Sequence, residues 1–162
     1  MQNRRWIYKY IFMRRVTIKY NKLQKIFKVD EMSDWDKVVN FLLTKIESGM
    51  VIALYGDLGA GKTTLTQFIA KQLGVKKRAL SPTFALIRSY NVTRLGSRTS
   101  DVGRLVHVDA YRIEDERELL ALELDEELLE SGTLMIIEWS EKIPKWLKKQ
   151  SKVISVKIEQ ID

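Results

Sequence analysis

Hydrophobic and polar positions change their period along the chain in a regular order. Val16 to Tyr20 and Lys25 to Val29 alternate as strands do, on either side of a polar turn at Asn21-Lys22. Trp35, Val38, Val39, Leu42, Leu43 and Ile46 then recur at helical spacing and predict one buried helix face, with Ser33 and Asp36 placed as a capping box and Gly49 as the stop. Met50 to Leu54 is apolar at every position, the mark of a strand covered on both faces. A glycine-rich stretch separates it from a second helix with Leu65, Phe68, Ile69 and Leu73 inward, ending at Gly74.

The second half continues the alternation of periods. Thr83 to Val92 predicts a strand, residues 93–104 a polar, basic loop or hairpin tip, and Leu105 to Asp109 a further strand. Glu114 to Glu130 is acidic and leucine-rich and predicts one or two short helices, followed by a buried strand at Thr133 to Glu138. Lys142 to Lys149 predicts a short helix interrupted by Pro144, and Lys152 to Ile158 a last, half-exposed strand. Strands interleaved with helices predict an α/β sandwich around a mostly parallel sheet.

Composition narrows this picture. The chain has 162 residues, 45% of them apolar, enough for one domain with a substantial core. No stretch approaches the roughly 20 apolar residues of a membrane span, so no membrane association is expected. With no cysteine and one histidine, disulfide frameworks, thiolate metal sites and multi-histidine sites are excluded, and a cytoplasmic setting fits.

The net charge of +7 is unevenly placed: residues 1–28 hold nine basic side chains and no acidic one, leaving 19 against 21 in the rest. The basic character therefore belongs to an amino-terminal arm at 1–28, set apart from a domain at 29–162. Trp6 to Met13 is largely apolar after Arg4-Arg5 but lacks a small-residue cleavage site, so it does not read as a signal peptide. Residues 1–12 read equally as an upstream extension or as a start-site artefact, with Met13 opening the first strand.

Candidate chemistry enters at the glycine-rich stretch. Gly56-Asp57-Leu58-Gly59-Ala60-Gly61-Lys62-Thr63 fits G-x-x-x-x-G-K-[ST] without a mismatch, between an apolar strand and a helix. Glycines let the backbone close around a phosphate and aim its amides inward at a helix N-terminus. Lys62 would then reach the β- and γ-phosphates, and the Thr63 hydroxyl would ligate Mg²⁺. Such a loop also needs an acid at the end of a neighbouring apolar strand, and two fit: Asp109 after Leu-Val-His-Val and Glu138 after Leu-Met-Ile-Ile. Either could hold the metal, directly or through water, while the other orients the attacking water; a strand-end cap or surface carboxylate competes for each alone, but two acids ending apolar strands beside such a loop argue that at least one is functional.

Thr83, after Pro82, stands where switch loops offer an oxygen to the γ-phosphate, although a plain turn fits its spacing as well. Trp139 reads equally as a base-stacking ring or a core side chain, and His107 first as a partly buried structural histidine. Arg112 either neutralises phosphate charge or pairs with the acidic stretch after it. No Asn-Lys-x-Asp guanine signature occurs, so ATP is expected over GTP.

Taken in order, Gly56 to Thr64, Ser81-Pro82-Thr83-Phe84, His107-Val108-Asp109-Ala110-Tyr111-Arg112 and Ile137-Glu138-Trp139 resemble the signatures of the bacterial TsaE family. These are small ATPases of tRNA N6-threonylcarbamoyladenosine biosynthesis, and the resemblance spans about residues 30–158. It implies a three-layer P-loop NTPase fold, ATP hydrolysis with Mg²⁺, and association with TsaD and TsaB. It implies that Asp57, Leu58, Gly59, Ala60, Gly61, Lys62, Thr63 and Thr64 cradle the nucleotide, with Thr83 as the switch residue and Trp139 beside the nucleotide. Lys62, Asp109 and Glu138 would carry catalysis, Thr63 and Glu138 lying at the magnesium and Asp109 beyond it or as activator. The basic arm and the expanded stretch from Arg94 to Arg104 depart from the family pattern and inherit no role.

Two other readings compete. In a small-molecule kinase Arg94, Arg98 and Arg104 would form a lid over phosphates, but no acid–arginine set for an acceptor stands out. In a nucleic-acid module the arm with Trp6, Tyr8, Tyr10 and Tyr20 would bind phosphates in a salt-dependent way, and tRNA could be met through that arm or only indirectly.

Overall fold

The apolar run at residues 50–54 lies in the middle of a sheet, as its composition requires. In the computed structural model, residues 13–76, 86–93 and 101–161 are described. Strand β3 (Met50–Tyr55) is flanked in parallel by β6 (Thr133–Glu138) and β7 (Val153–Gln160), and β5 (Arg104–Asp109) runs parallel to β6. Antiparallel strands close both margins: β1 (Arg14–Tyr20) and β2 (Leu23–Val29) beyond β7, and β4 (Ile87–Asn91) beyond β5. The strand order is β2-β1-β7-β3-β6-β5-β4. The molecule is thus mixed α/β, with a sheet that is parallel in its centre.

Alternation within β3 divides the core. Met50, Ile52 and Leu54 meet helices α1 (Asp34–Leu43) and α2 (Lys62–Gln72), while Val51 and Ala53 meet α3 (Leu124–Leu129) and α4 (Pro144–Lys149) on the opposite face. Every position of the run is buried because both faces are covered. Strand β7 is covered along one face, and on the other only at Val153, which explains its half-exposed pattern. On the same bare side of the sheet, Arg15, Thr17 and Lys19 stand opposite Lys28, Ile26 and Gln24.

Several local expectations change. Ser33 is itself helical in backbone and makes no side-chain cap; its hydroxyl turns to Glu31. The Asp34 carboxylate instead accepts from the Asp30 and Glu31 amides and from Lys37, and these bonds hold its carboxyl down to about 2. Helix α1 ends at Leu43, where Thr44 returns its amide and hydroxyl to the Phe41 carbonyl, well before Gly49 turns the chain into β3. Pro144 opens α4 rather than interrupting a helix, because a first-turn residue has no amide bond to lose. The acidic stretch forms a 3-10 helix at Glu116–Leu122, capped by Asp115 and Glu118, and then α3.

The expected strand from Thr83 is seen from Ile87 onward, residues 83–85 lying outside the described part. The boundary drawn after residue 28 falls inside β2, and β1 pairs with both β2 and β7.

Candidate active site

Strand β3 delivers the chain to Gly56 at the carboxyl end of the parallel strands, where α/β proteins place their ligands. The loop from Gly56 to Gly61 then turns the chain into α2, with Gly61 as N-cap at φ 116°. Two of its glycines are required by space. A Cβ at Gly56, whose φ is 147°, would lie 2.5 Å from the Ile158 carbonyl oxygen; one at Gly61 would lie 3.0 Å from the Trp35 ring. The loop is therefore wedged between β7 and α1, with the unpaired amides of the α2 first turn opening toward it.

Lys62 is buried and reaches back along the loop. Its ammonium donates to the Gly56 carbonyl and, at 2.9 Å, to that of Asp57, while lying 3.7 Å from the centre of the Trp139 ring. Burial pushes the ammonium below its ordinary value, against the opposing pull of Glu138, Glu141, Asp109 and Asp57. Trp139 is held at φ 59°, an uncommon conformation for a bulky residue, and its ring packs 4.9 Å from that of Tyr111.

Thr63 and Glu138 meet across the cleft, the hydroxyl donating to Glu138 Oε2 at 2.9 Å. The other oxygen of Glu138 is held by His107 Nε2 at 2.8 Å. Asp109 stands beside Glu138 in parallel register, and its Oδ1 accepts the Tyr111 amide at 3.0 Å. A cavity of about 370 Å³ opens over these groups, walled by Leu58, Lys62, Tyr111 and Trp139. A larger depression of about 470 Å³ lies between the 3-10 helix and α4, among carboxylates and two lysines, away from the loop. Chemistry rather than volume selects the first: hydroxyl, carboxylates, a cation and a helix N-terminus converge there.

The two strand-end acids and the loop thus come together as the spacing implied. Asp57, Leu58, Gly59, Ala60, Gly61, Lys62, Thr63 and Thr64 all lie on the loop or its helix, and Trp139 walls the cavity. Thr83 lies outside the described residues, as does the whole Ser81 to Phe84 motif. His107 is fully rather than partly buried, and its Nε2 is bound to Glu138.

Sequence reasoning missed Arg14, whose Nε donates to the Ala60 carbonyl at 2.6 Å, and Trp35, whose ring backs Gly61. Arg14 comes from another strand 46 residues away, and no local pattern announces such a contact.

The fold and cleft define an α/β protein with a glycine-rich loop between a central strand and a helix, faced by two strand-end carboxylates. Within that class the chain belongs to the TsaE family: the family described as threonylcarbamoyl adenosine biosynthesis protein TsaE matches residues 29–162. Three relatives carry the name tRNA threonylcarbamoyladenosine biosynthesis protein TsaE. That of Nostoc sp. is 38% identical over 127 residues, covering 76% of this chain and 72% of the relative. The Bacillus subtilis protein is 38% identical over 67% of this chain and 62% of its own length. The Streptomyces coelicolor protein is 38% identical over 59% of this chain and 60% of its own.

Proposed function

We propose that this chain is a P-loop ATPase that hydrolyses ATP with Mg²⁺ in the formation of N6-threonylcarbamoyladenosine on tRNA, working with TsaD and TsaB. The observation that carries this reading is the meeting of Lys62, Thr63 and Glu138 around one loop at a helix N-terminus. The α/β architecture, with a helix layer on each sheet face and the loop at the carboxyl ends of parallel strands, supports the three-layer P-loop NTPase fold. Residues 29–162 would form the ATPase domain, with β1 and the start of β2 as its basic margin.

The donor set suits the metal. Mg²⁺ takes oxygen ligands at about 2.0–2.1 Å in near-octahedral geometry, so neighbouring ligand oxygens stand about 3 Å apart. Thr63 Oγ1 and Glu138 Oε2, 2.9 Å apart, have that spacing. Bound there, Mg²⁺ would neutralise charge on the β- and γ-phosphate oxygens. Lys62 would exchange the Gly56 and Asp57 carbonyls for phosphate oxygens, a trade of neutral acceptors for charged ones. Asp109, next to Glu138 in register, would orient the attacking water and accept its proton. Trp139 and Tyr111 would exclude water from one side of the cleft, and Thr83 keeps the γ-phosphate role its motif implies.

Labelled ATP followed with and without TsaD, TsaB and tRNA tests the reading. Label is expected as inorganic phosphate, slowly for the protein alone and faster with the partners, with repeated rounds of tRNA modification requiring this chain. ATP should change the affinity for TsaD–TsaB by the factor by which the pair changes ATP affinity. Label carried to a small metabolite by the protein alone would establish the kinase instead.

Direct tRNA contact through the basic margin is supported by Arg15, Lys19 and Lys28, which stand together on the uncovered side of the sheet. Substituting Arg15→Glu with Lys19→Glu should weaken tRNA binding at low salt and flatten its salt dependence by about one unit of slope per lost phosphate contact. Unchanged binding in an electrophoretic shift would leave tRNA as an indirect partner. A cytoplasmic setting belongs to the same proposal; among the described residues no helix is long and apolar enough to cross a membrane.

A further inference from the structure

Strand β5 carries one polar side chain in its interior. Leu105, Val106 and Val108 are fully buried and apolar, and so is His107 fully buried, with Ile136 beside it in register. Filling that space calls for an aliphatic side chain, which would bury no polar atom. The imidazole instead bonds to Glu138 through Nε2, and its Nδ1 has no hydrogen-bond partner among the described residues. A carboxylate only accepts, so the ring hydrogen sits on Nε2.

The bond has a directional consequence. Glu138 is a three-torsion side chain at the end of β6, with Oε1 held by His107 and Oε2 by Thr63. Without His107, Oε1 would be a buried acceptor lacking its donor, and the carboxylate would be free to rotate away from the Thr63 hydroxyl. Outer hydrogen bonds of this kind fix the orientation of metal-binding groups, and their loss costs about 10–100-fold in metal affinity.

We propose that His107 is a positioning residue of the ATPase centre: it locks Glu138 so that Oε2, beside Thr63 Oγ1, faces the divalent cation. This rests on the ATPase reading above. His107 is fully buried and does not line the cavity; its effect passes through Glu138.

Calorimetric titration of ATP into the full chain at a series of Mg²⁺ concentrations, beside steady-state hydrolysis, tests it. His107→Leu keeps the bulk and removes the donor; His107→Gln offers an amide N–H in its place. For His107→Leu the Mg²⁺ concentration giving half-maximal ATP affinity should rise about tenfold or more. Its kcat should fall by a similar factor, while ATP affinity in excess chelator stays at the wild-type value. His107→Gln should recover most of both losses.

Wild-type Mg²⁺ dependence in His107→Leu would overturn the assignment. So would a folded His107→Gln variant, judged by thermal melting, that is as impaired as Leu. Should the Leu variant fail to fold, the Gln variant decides alone: near-wild-type Mg²⁺ dependence supports the role and its loss rejects it. A wild-type chain with no Mg²⁺-dependent ATP binding would instead overturn the ATPase reading itself, and this role with it.

Discussion

Lys62→Ala is expected to lower ATP affinity at least a hundredfold, about 2.7 kcal/mol, and to leave the fold standing. The affinity loss follows from charge: a buried ammonium, already desolvated, would trade two neutral loop carbonyls for charged phosphate oxygens, and such charge-assisted bonds are the strong ones. The small effect on folding follows from the same burial. Lys62 loses hydration on folding, and burial pushes its ammonium below its ordinary value. The two loop carbonyls it serves recover only part of that cost. Alanine gives up those bonds and escapes the penalty, so the melting temperature should change by a few degrees at most.

The pH dependence has a definite sign. The folded lysine binds its proton less tightly than the unfolded one, so between the two pKa values the unfolded chain holds more protons. Wild-type stability should therefore gain, relative to Lys62→Ala, as pH rises through the window just below 10.5, the ordinary lysine value. Melting curves of both proteins across that window check the sign, and calorimetry with ATP checks the affinity.

Much of this architecture was legible in the sequence because its signals are local. The run at Met50 to Leu54 announces a doubly covered strand, and β3 is one; the G-x-x-x-x-G-K-T spacing announces a strand–loop–helix junction, and Gly56 to Thr63 forms it. Asp109 and Glu138 each end an apolar strand, and that shared position made them candidates before their register was known. What stayed hidden depends on contacts between distant segments. Nothing near His107 in sequence points to Glu138, 31 residues on, nor anything near Arg14 to Ala60. The basic stretch looked like an arm because charge dominates its composition. Yet the alternation inside it placed Val16 and Ile18 in the core and made β1 part of the sheet.

Glu138→Gln and Asp109→Asn should separate the two acids. Both changes keep shape and remove charge, so differences report electrostatics rather than packing. Glu138 lies beside Thr63, so in the proposed site it bears the metal. Its amide variant retains an oxygen but presents a neutral and weaker ligand to a hard cation. ATP hydrolysis should fall on the order of a hundredfold, about 2.7 kcal/mol of transition-state stabilisation, and the Mg²⁺ requirement should shift upward with it. Asp109 Oδ1 accepts the Tyr111 amide, a bond that an asparagine carbonyl can keep, so this turn should survive in its variant. Its hydrolysis should fall tenfold or more, about 1.4 kcal/mol, through loss of the proton acceptor, with little change in the Mg²⁺ concentration at half-activity. Steady-state rates measured over a Mg²⁺ series distinguish the assignments. A larger Mg²⁺ shift for Asp109→Asn than for Glu138→Gln would exchange the two roles, and wild-type rates in both would remove the acids from the chemistry.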